Sequence, residues 1–403
     1  MNGANTAWIL TSTALVLFMT LPGLALFYAG LVRSKNVISV LAQVLGMACV
    51  ASVVWLVCGY SIAFNGDGPY FGDLSNLLLM NVSLNSLSGD IPESVFVMFQ
   101  MTFAVITPAL IVGAFVERIK FISVLVITVL WLIFVYAPVT HWVWGNGWLM
   151  NLGVMDFAGG LVVHTTAGIS ALVIVYFLGA RKGFPKSVNP PHSPVLAMAG
   201  ACMLWVGWFG FNGGSALAAG EGAGMAMLVT HIAAATATIT WMAVDWIKNG
   251  KPGIVGMITG TIAGLATVTP ASGFIGPMGA LILGFLAGII CYWAVGLIKN
   301  AINLDDTLDV FAVHGVGGML GTALAGLLAT SQYGGLGLAE GQTVYGQTMV
   351  QLTGIASVAI YTLIATVIIV MVTKLFFGLR VNDKEESTDG LDISTHGESG
   401  YNL

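Results

Sequence analysis

The stretch DFAGGLVVH, residues 156–164, opens a long apolar segment and places a histidine eight residues after an aspartate. The same step recurs much later in the chain, from Asp306 to His314. Ionisable side chains inside hydrocarbon-length segments are costly and usually serve a function. One such histidine would be read more simply as a satisfied core residue, but two at matching places predict a pore lined by His164 and His314.

The composition of the chain is typical of a membrane protein. Of its 403 residues, 57% are hydrophobic and 8% are charged, whereas a soluble domain carries about 25% charged residues. The net charge is −5 and the sequence contains no basic patch, which argues against a nucleic-acid partner. We find no paired cysteine motif, metal-ligand cluster, nucleophile–base pair or phosphate loop, so we predict neither an enzyme nor a metal or cofactor site.

Eleven apolar runs are long enough to cross a bilayer, which takes roughly 20 residues. All 13 Lys and Arg residues lie at or after the end of an odd-numbered run. Because cytoplasmic loops carry most of the Lys and Arg, we predict an external N-terminus and a cytoplasmic C-terminus. The runs lie at about 8–32, 40–64, 94–116, 121–143, 157–180, 195–218, 223–247, 254–270, 277–298, 308–330 and 346–377.

The two halves of the chain resemble each other. The stretch FYAG at 27–30 is similar to FNGG at 211–214, and the aspartate-to-histidine step occurs once in each half. Five spans followed by five more give halves of opposite orientation, which places a transport site near the midplane. We therefore predict an all-α polytopic membrane protein with eleven transmembrane helices. It would comprise repeat one at about 8–180, repeat two at about 195–330, an extra helix at about 346–377, and a tail at 379–403 after a membrane domain at 1–378.

Asp156 has two possible roles. Aspartate is a good helix N-cap, and its charge suits the positive end of a helix. The other role is a negative charge that favours a nearby cation. Asp306 and Asp309 have the same ambiguity at the start of the tenth span.

Several other polar residues are expected to be structural. We predict that His231 is a satisfied core residue, and that His141 and His192 are solvated. The sequence ERIK at 117–120 is expected to form surface ion pairs of small energetic value.

Five ordered motifs resemble those of the ammonium transporter (Amt/Mep/Rh) family, in particular its bacterial branch. The resemblance runs through nearly the whole chain, including the tail, and implies a homotrimer in which each subunit has its own pore. The motifs are PGLALFYAGLVR at 22–33 with the following KN at 35–36, the stretch 156–164, GWFGFNGGS at 207–215, TPA at 269–271 and DVFAVHG at 309–315.

Matching positions imply an outer ammonium-recruitment site at Phe103, Trp144 and Ser215. Aromatic faces attract an ammonium ion, and a serine oxygen accepts an N–H bond. The family's stacked phenyl gate would correspond to Phe99 and Phe211, which would lie above the histidine pair. Further residues that match the pore of the family are Trp208, Tyr28, Leu204, Val310 and Thr269.

The resemblance also implies a mechanism. Ammonium, or methylammonium as its analogue, would bind outside, lose a proton and cross the histidine pair as ammonia, while the route of the proton stays open. Asp156 matches a carboxylate that the family needs but that is not a direct ligand. The alternatives are an Rh-like channel for a neutral gas and an ammonium sensor that signals with little flux.

The tail is open to two interpretations. Its many charges and few apolar residues are typical of a disordered terminus. It also resembles the family's tail, which packs on the cytoplasmic face and couples to PII-type regulators. The resemblance places the protein in the cell inner membrane.

Overall fold

The computed structural model describes residues 1–401, and helices dominate it. Within those residues, eleven helical spans are long and apolar enough to cross a membrane, which confirms the predicted number. A short antiparallel hairpin, β1 (Leu87–Ser88) and β2 (Ile91–Pro92), lies before the third span. The spans are α1 (Gly3–Leu31), α2 (Ser34–Phe64), α3 (Glu93–Phe115), α4 (Phe121–Asn151), α5 (Gly160–Leu178), α6 (Pro194–Gly213), α7 (Glu221–Asn249), α8 (Ile254–Ala271), α9 (Pro277–Ala301), α10 (Phe311–Leu328) and α11 (Val344–Phe377).

Some helix ends differ from the predicted ones. Helix α1 begins at Gly3 rather than near residue 8, because the Asn2 side chain accepts hydrogen bonds from the backbone N–H groups of Ala4 and Asn5. Such a cap stabilises the polar first turn of the helix. The search for apolar runs leaves that turn out. Helix α4 extends to Asn151, beyond the predicted 143, through a short turn that follows a break at Gly145.

Helices α5 and α10 cross closely in the centre of the protein. Both begin with a π-helical turn, over Gly160–Thr165 in α5 and Phe311–Gly315 in α10. Gly318 of α10 lies against α5, where a Cβ atom would be 2.6 Å from the Cβ of His164. The absence of a side chain at Gly318 therefore allows the two histidine-bearing turns to meet.

The expectation of surface ion pairs at 117–120 is wrong. Glu117 is 4% exposed and Arg118 is fully buried. The Glu117 carboxylate accepts hydrogen bonds from Arg33, with Nε–Oε1 at 3.0 Å, and from Arg181, with Nη1–Oε2 at 3.3 Å. Arg181 also pairs with Asp305 at 2.8 Å. These side chains form a buried ionic cluster that joins the loops after α1, α3, α5 and α9.

Removal of the Glu117 carboxylate should destabilise the protein strongly. Glu117→Ala leaves Arg33 and Arg181 without this partner, and breaking a buried pair costs about 3–5 kcal/mol. Burial raises the pKa of Glu117, but Arg33 and Arg181 outweigh it, so the pKa lies below its ordinary value of 4.5. The stabilisation is therefore present at neutral pH and is lost as the pH falls through that lowered pKa.

Thermal unfolding of the purified protein measures this effect. The control is Asp383→Ala, which removes an exposed ion pair with Lys182 at 3.2 Å and should cost less than about 1 kcal/mol. Equal shifts of the unfolding midpoint for Glu117→Ala and Asp383→Ala would contradict the assignment of a buried cluster.

Over its described part, 379–401, the tail packs against the loops after the odd-numbered spans. This packing argues against the interpretation of the tail as a disordered terminus. Ile119 and Arg380 form an isolated antiparallel bridge. Glu386 is buried and accepts from Arg380 at 2.7 Å. The Asp392 carboxylate accepts a hydrogen bond from the backbone N–H of Ser39, near the start of α2, at 2.8 Å.

Two other histidines depart from expectation. His141 is fully buried, and its ring nitrogens face the carbonyl oxygens of Ala63 and Gly68, so the prediction that it is solvated is wrong. His192 is partly buried and approaches the Tyr401 hydroxyl at 2.9 Å. His231 is exposed on α7, with its ring 5.2 Å from that of Trp205, so the prediction of a core residue is also wrong.

Candidate functional site

The structure brings His164 and His314 together at the centre of the protein. Their Nδ1 atoms are 3.2 Å apart, and the two rings are nearly parallel, with planes 21° apart and centroids 5.2 Å apart. A neutral imidazole has one donor and one acceptor. The pair can therefore share a single proton between the Nδ1 atoms, which directs the Nε2 edges away from each other.

The space beside the two imidazoles is narrow and apolar. Its volume is about 10 Å³, close to the minimum that holds one water molecule. The Nε2 atom of His164 is buried and has no hydrogen-bond partner within residues 1–401. The space is lined by the two histidines with Met19, Leu24, Phe27, Ile106, Leu110, Val163, Leu204, Trp208, Phe211 and Ile262.

Asp156 positions the turn that carries His164. Its buried carboxylate accepts hydrogen bonds from four consecutive backbone N–H groups, of residues 159–162, at 2.6–3.2 Å. These groups lack intrahelical partners at the start of a helix. The contacts are those of a helix cap, which is one of the two roles considered for Asp156.

The second half repeats this arrangement with fewer bonds. Asp306 is fully buried and accepts from the backbone N–H groups of Val310 and Phe311, at 3.1 and 2.7 Å. Asp309 does not join this cap but pairs with Lys299 at 2.7 Å. Each half thus holds its histidine eight residues beyond a buried capping aspartate.

The remaining residues matched to the pore surround the histidine pair. The Trp208 ring stacks on His164 with centroids 5.7 Å apart, and its Nε1–H donates to Thr269 at 2.9 Å. Leu204 lines the narrow space. Tyr28 and Val310 instead lie together against Gly113, and the Tyr28 hydroxyl donates to the carbonyl of Leu110.

The structure differs from the predicted phenyl gate of Phe99 and Phe211. Phe211 packs against Phe103, with ring centroids 4.3 Å apart and planes tilted by 32°. Phe99 meets Phe103 edge-on at 5.1 Å and lies against Gly214. The closely packed phenyl rings are therefore those of Phe103, which lines the outer pocket, and Phe211, which lines the narrow space, and Phe99 lies beside them.

An outer pocket of about 180 Å³ contains all three residues of the predicted recruitment site. The rings of Phe103 and Trp144 are perpendicular, with centroids 5.9 Å apart. The Ser215 hydroxyl donates to the carbonyl of Phe211 at 2.8 Å, which leaves its oxygen free to accept a bond. The pocket walls also include residues that the sequence interpretation did not single out, namely Phe64, Phe96, Gln100, Val143, Met150, Phe157 and Leu217.

A second, larger cavity lies on the other side of the histidines. It has a volume of about 350 Å³ and reaches His314, Tyr28 and the Lys299–Asp309 pair. It shares Phe27, Ile262 and His314 with the narrow space. The outer pocket, the ring pair, the narrow space and this inner vestibule therefore follow one another along one path. Within residues 1–401, no group of His, Cys, Asp and Glu side chains is arranged to hold a metal ion.

Comparisons with known proteins agree over nearly the whole chain. The model of the Ammonium Transporter Family matches residues 7–401. An ammonium transporter of Aquifex aeolicus is 44% identical over 100% of this chain and 94% of its own length. The ammonium transporter Amt1 of Archaeoglobus fulgidus is 44% identical over 100% of both chains.

Solved structures are also similar. A structure named Sensor Amt Protein has a TM-score of 0.90 and 31% identity, over 98% of both chains. The crystal structure of Candida albicans Mep2 has a TM-score of 0.87 and 35% identity, over 96% of this chain and 88% of that one.

Proposed function

This chain belongs to the ammonium transporter family, and from that premise we propose that it binds ammonium in the outer pocket, removes one proton and passes ammonia between His164 and His314. The observation that carries the proposal is the histidine pair, with Nδ1 atoms 3.2 Å apart, inside apolar walls. Such a passage offers weak polarity to a small neutral solute but cannot replace the hydration of an ion.

Deprotonation explains how ammonium is separated from potassium. The two cations have similar size and charge, so an aromatic pocket alone distinguishes them poorly. Ammonium can lose a proton and potassium cannot. The narrow apolar space then admits ammonia and rejects potassium. The route of the released proton is a separate question, which current measurements on the same protein address.

The outer pocket concentrates the cation before that step. The faces of Phe103 and Trp144 attract a positive charge, and the Ser215 oxygen can accept one N–H bond. The cation would lie above the Phe103–Phe211 pair, which closes the path toward His164. An Rh-like channel for a neutral gas would have no use for such a pocket.

Replacing Trp144 with leucine should weaken ammonium recruitment. Loss of a cation–π contact of about 1–2 kcal/mol raises the half-saturating ammonium concentration roughly 5- to 30-fold. The measurement is radiolabelled methylammonium uptake, and ammonium current, in liposomes that contain the purified protein. Trp144→Phe keeps an aromatic face and should retain part of the affinity, although it loses the Nε1–H bond to the carbonyl of Asp156.

Two outcomes would argue against this function. An unchanged half-saturating concentration in Trp144→Leu would remove Trp144 from the recruitment site. Binding of ammonium without measurable flux in the wild-type protein would favour the sensor alternative instead. The named relatives are transporters, which supports transport rather than an enzymatic reaction.

We also propose a homotrimer in the cell inner membrane, with the N-terminus outside. The position of every Lys and Arg at or after the end of an odd-numbered span supports this orientation. His231 is exposed within α7, and an imidazole that faces lipid is costly. A neighbouring subunit that covers His231 would remove this cost, which supports an oligomer. The tail packed on the same side as the Lys and Arg residues offers a surface for a PII-type signal protein.

A further inference from the structure

We propose that the outer pocket also binds small quaternary ammonium ions, of which tetramethylammonium is the simplest, and that these ions block ammonium uptake without being transported. The inference rests on the proposed function of that pocket and names a second class of ligand for it. Two observations carry it, namely the size of the pocket beside that of the narrow space, and the chemistry of the pocket walls.

The outer pocket is much larger than the ion that we expect it to receive. Its volume is about 180 Å³, whereas a cavity of about 10–15 Å³ already holds one water molecule. An ammonium ion is similar in size to water and therefore leaves most of the pocket to solvent. Met150 and Leu217 line the pocket and are exposed, so a larger ion can enter from the solvent.

Aromatic and aliphatic side chains form most of the pocket wall. The rings of Phe64, Trp144 and Phe157 are each partly exposed, and they come from three separate segments of the chain. Among the described residues, only Ser215 and Gln100 bring an oxygen-bearing side chain to the wall, and the Oε1 atom of Gln100 is buried. No charged side chain of residues 1–401 lines the pocket. The wall therefore offers a cation more aromatic surface than side-chain oxygen.

A quaternary ammonium ion matches such a wall. Its nitrogen carries four carbon substituents and no N–H bond, so the ion needs no hydrogen-bond acceptor. Its positive charge is attracted to aromatic rings, and aromatic cages are the usual means by which proteins recognise choline and methylated lysine. Burial of its methyl groups against apolar side chains adds a hydrophobic contribution that ammonium lacks.

The same ion cannot follow ammonium to the histidine pair. It has no proton to lose and keeps its charge, and an apolar passage cannot replace the hydration of a charged solute. It is also larger than the narrow space beside His164 and His314, whose volume is about 10 Å³. Methylammonium differs, because it keeps three N–H bonds and can lose a proton. A quaternary ion in the outer pocket would therefore stay there and exclude ammonium.

The test combines calorimetric titration of the purified protein with ammonium uptake in liposomes. We expect tetramethylammonium to bind and to be displaced by ammonium. It should raise the half-saturating ammonium concentration and leave the maximal rate unchanged. The control ligand is tert-butanol, a neutral molecule of similar shape, which should do neither. Equal competition by tert-butanol, or no binding of tetramethylammonium at about 100 times the half-saturating ammonium concentration, would overturn the inference.

Replacement of an aromatic wall residue should weaken the binding of the quaternary ion. Trp144→Leu removes one ring from the pocket, and the dissociation constant of tetramethylammonium should rise about tenfold. The matched control is Trp148→Leu. Trp148 lies in the same part of the chain but packs against Trp142 and does not line the pocket, so its replacement should leave that constant unchanged. Equal weakening in both variants would contradict binding in the outer pocket.

Ser215→Ala separates the two classes of ion. It removes the oxygen that accepts an N–H bond from ammonium, so the half-saturating ammonium concentration should rise about tenfold. Tetramethylammonium has no N–H bond, and its dissociation constant should stay within about twofold of the wild-type value. If Trp144→Leu does not reach the membrane, this comparison decides, and an equal loss for both ions overturns the inference.

The outcomes for the wild-type protein distinguish this inference from the proposed function. Ammonium uptake without binding of tetramethylammonium would end only the inference. Binding of tetramethylammonium by a protein that moves no ammonium would end the proposed function, and the blocking role with it.

Discussion

Replacing His164 with leucine should lower the initial rate of ammonium uptake at least about tenfold. Leucine fills a similar volume but offers no hydrogen bond to ammonia, and a lost hydrogen bond of about 1–1.5 kcal/mol in the limiting passage accounts for a factor of about ten. It also leaves the Nδ1 atom of His314 without its partner at 3.2 Å. Uptake of labelled methylammonium and ammonium current in liposomes measure both effects.

The two histidines should act as one unit. Because they share a proton through their Nδ1 atoms, the variant with both His164→Leu and His314→Leu should lose little more than either single variant, as expected for strongly coupled residues. The control is His396→Leu, which changes a histidine of the tail that contacts Phe121. Ammonium-selective uptake that is intact in His164→Leu or His314→Leu would reject the pore role of the pair.

Replacing Asp156 with alanine should both destabilise the protein and stop uptake. Four backbone N–H groups lose their charged acceptor at once, and each buried donor left without a partner costs about 1–3 kcal/mol. The helical start then shifts, and His164 no longer faces His314. We expect a lower thermal midpoint and uptake reduced by about 100-fold or more, since about 2.8 kcal/mol is already a factor of 100.

Asp156→Asn distinguishes the capping role from a purely electrostatic one. Asparagine keeps one acceptor oxygen, so it should restore part of the thermal midpoint and part of the uptake. If attraction of the cation were the whole role, Asn and Ala would fail equally in uptake while the midpoint of both stayed near the wild-type value. The control is Asp67→Ala, because Asp67 is exposed in the loop before α3.

The sequence was sufficient to predict the helices and the histidine pair for identifiable physical reasons. Apolar length marks the spans, and the one-sided distribution of Lys and Arg checks their number. The equal step from Asp156 to His164 and from Asp306 to His314 predicts equivalent positions in two repeats. The side chains then meet because Gly318 allows α5 and α10 to approach.

The predictions were wrong where segments distant in the sequence determine the surroundings of a side chain. Phe99 and Phe103 are one helical turn apart on α3, which is buried on nearly every side, so the sequence pattern does not indicate which ring meets Phe211. Glu117 and Arg118 are buried through contacts with Arg181 and Asp305, which lie far away in the sequence. His141 is buried because the end of α2 and the loop after it each place a carbonyl oxygen beside the ring.

Potassium competition tests the central claim most directly. Liposomes with the wild-type protein are given ammonium together with a large excess of potassium, and radioactive rubidium serves as a tracer for the potassium path. If only a deprotonated solute passes the histidine pair, the rate at saturating ammonium should be unchanged and rubidium should not enter. Entry of rubidium at a rate comparable to that of ammonium would contradict the account.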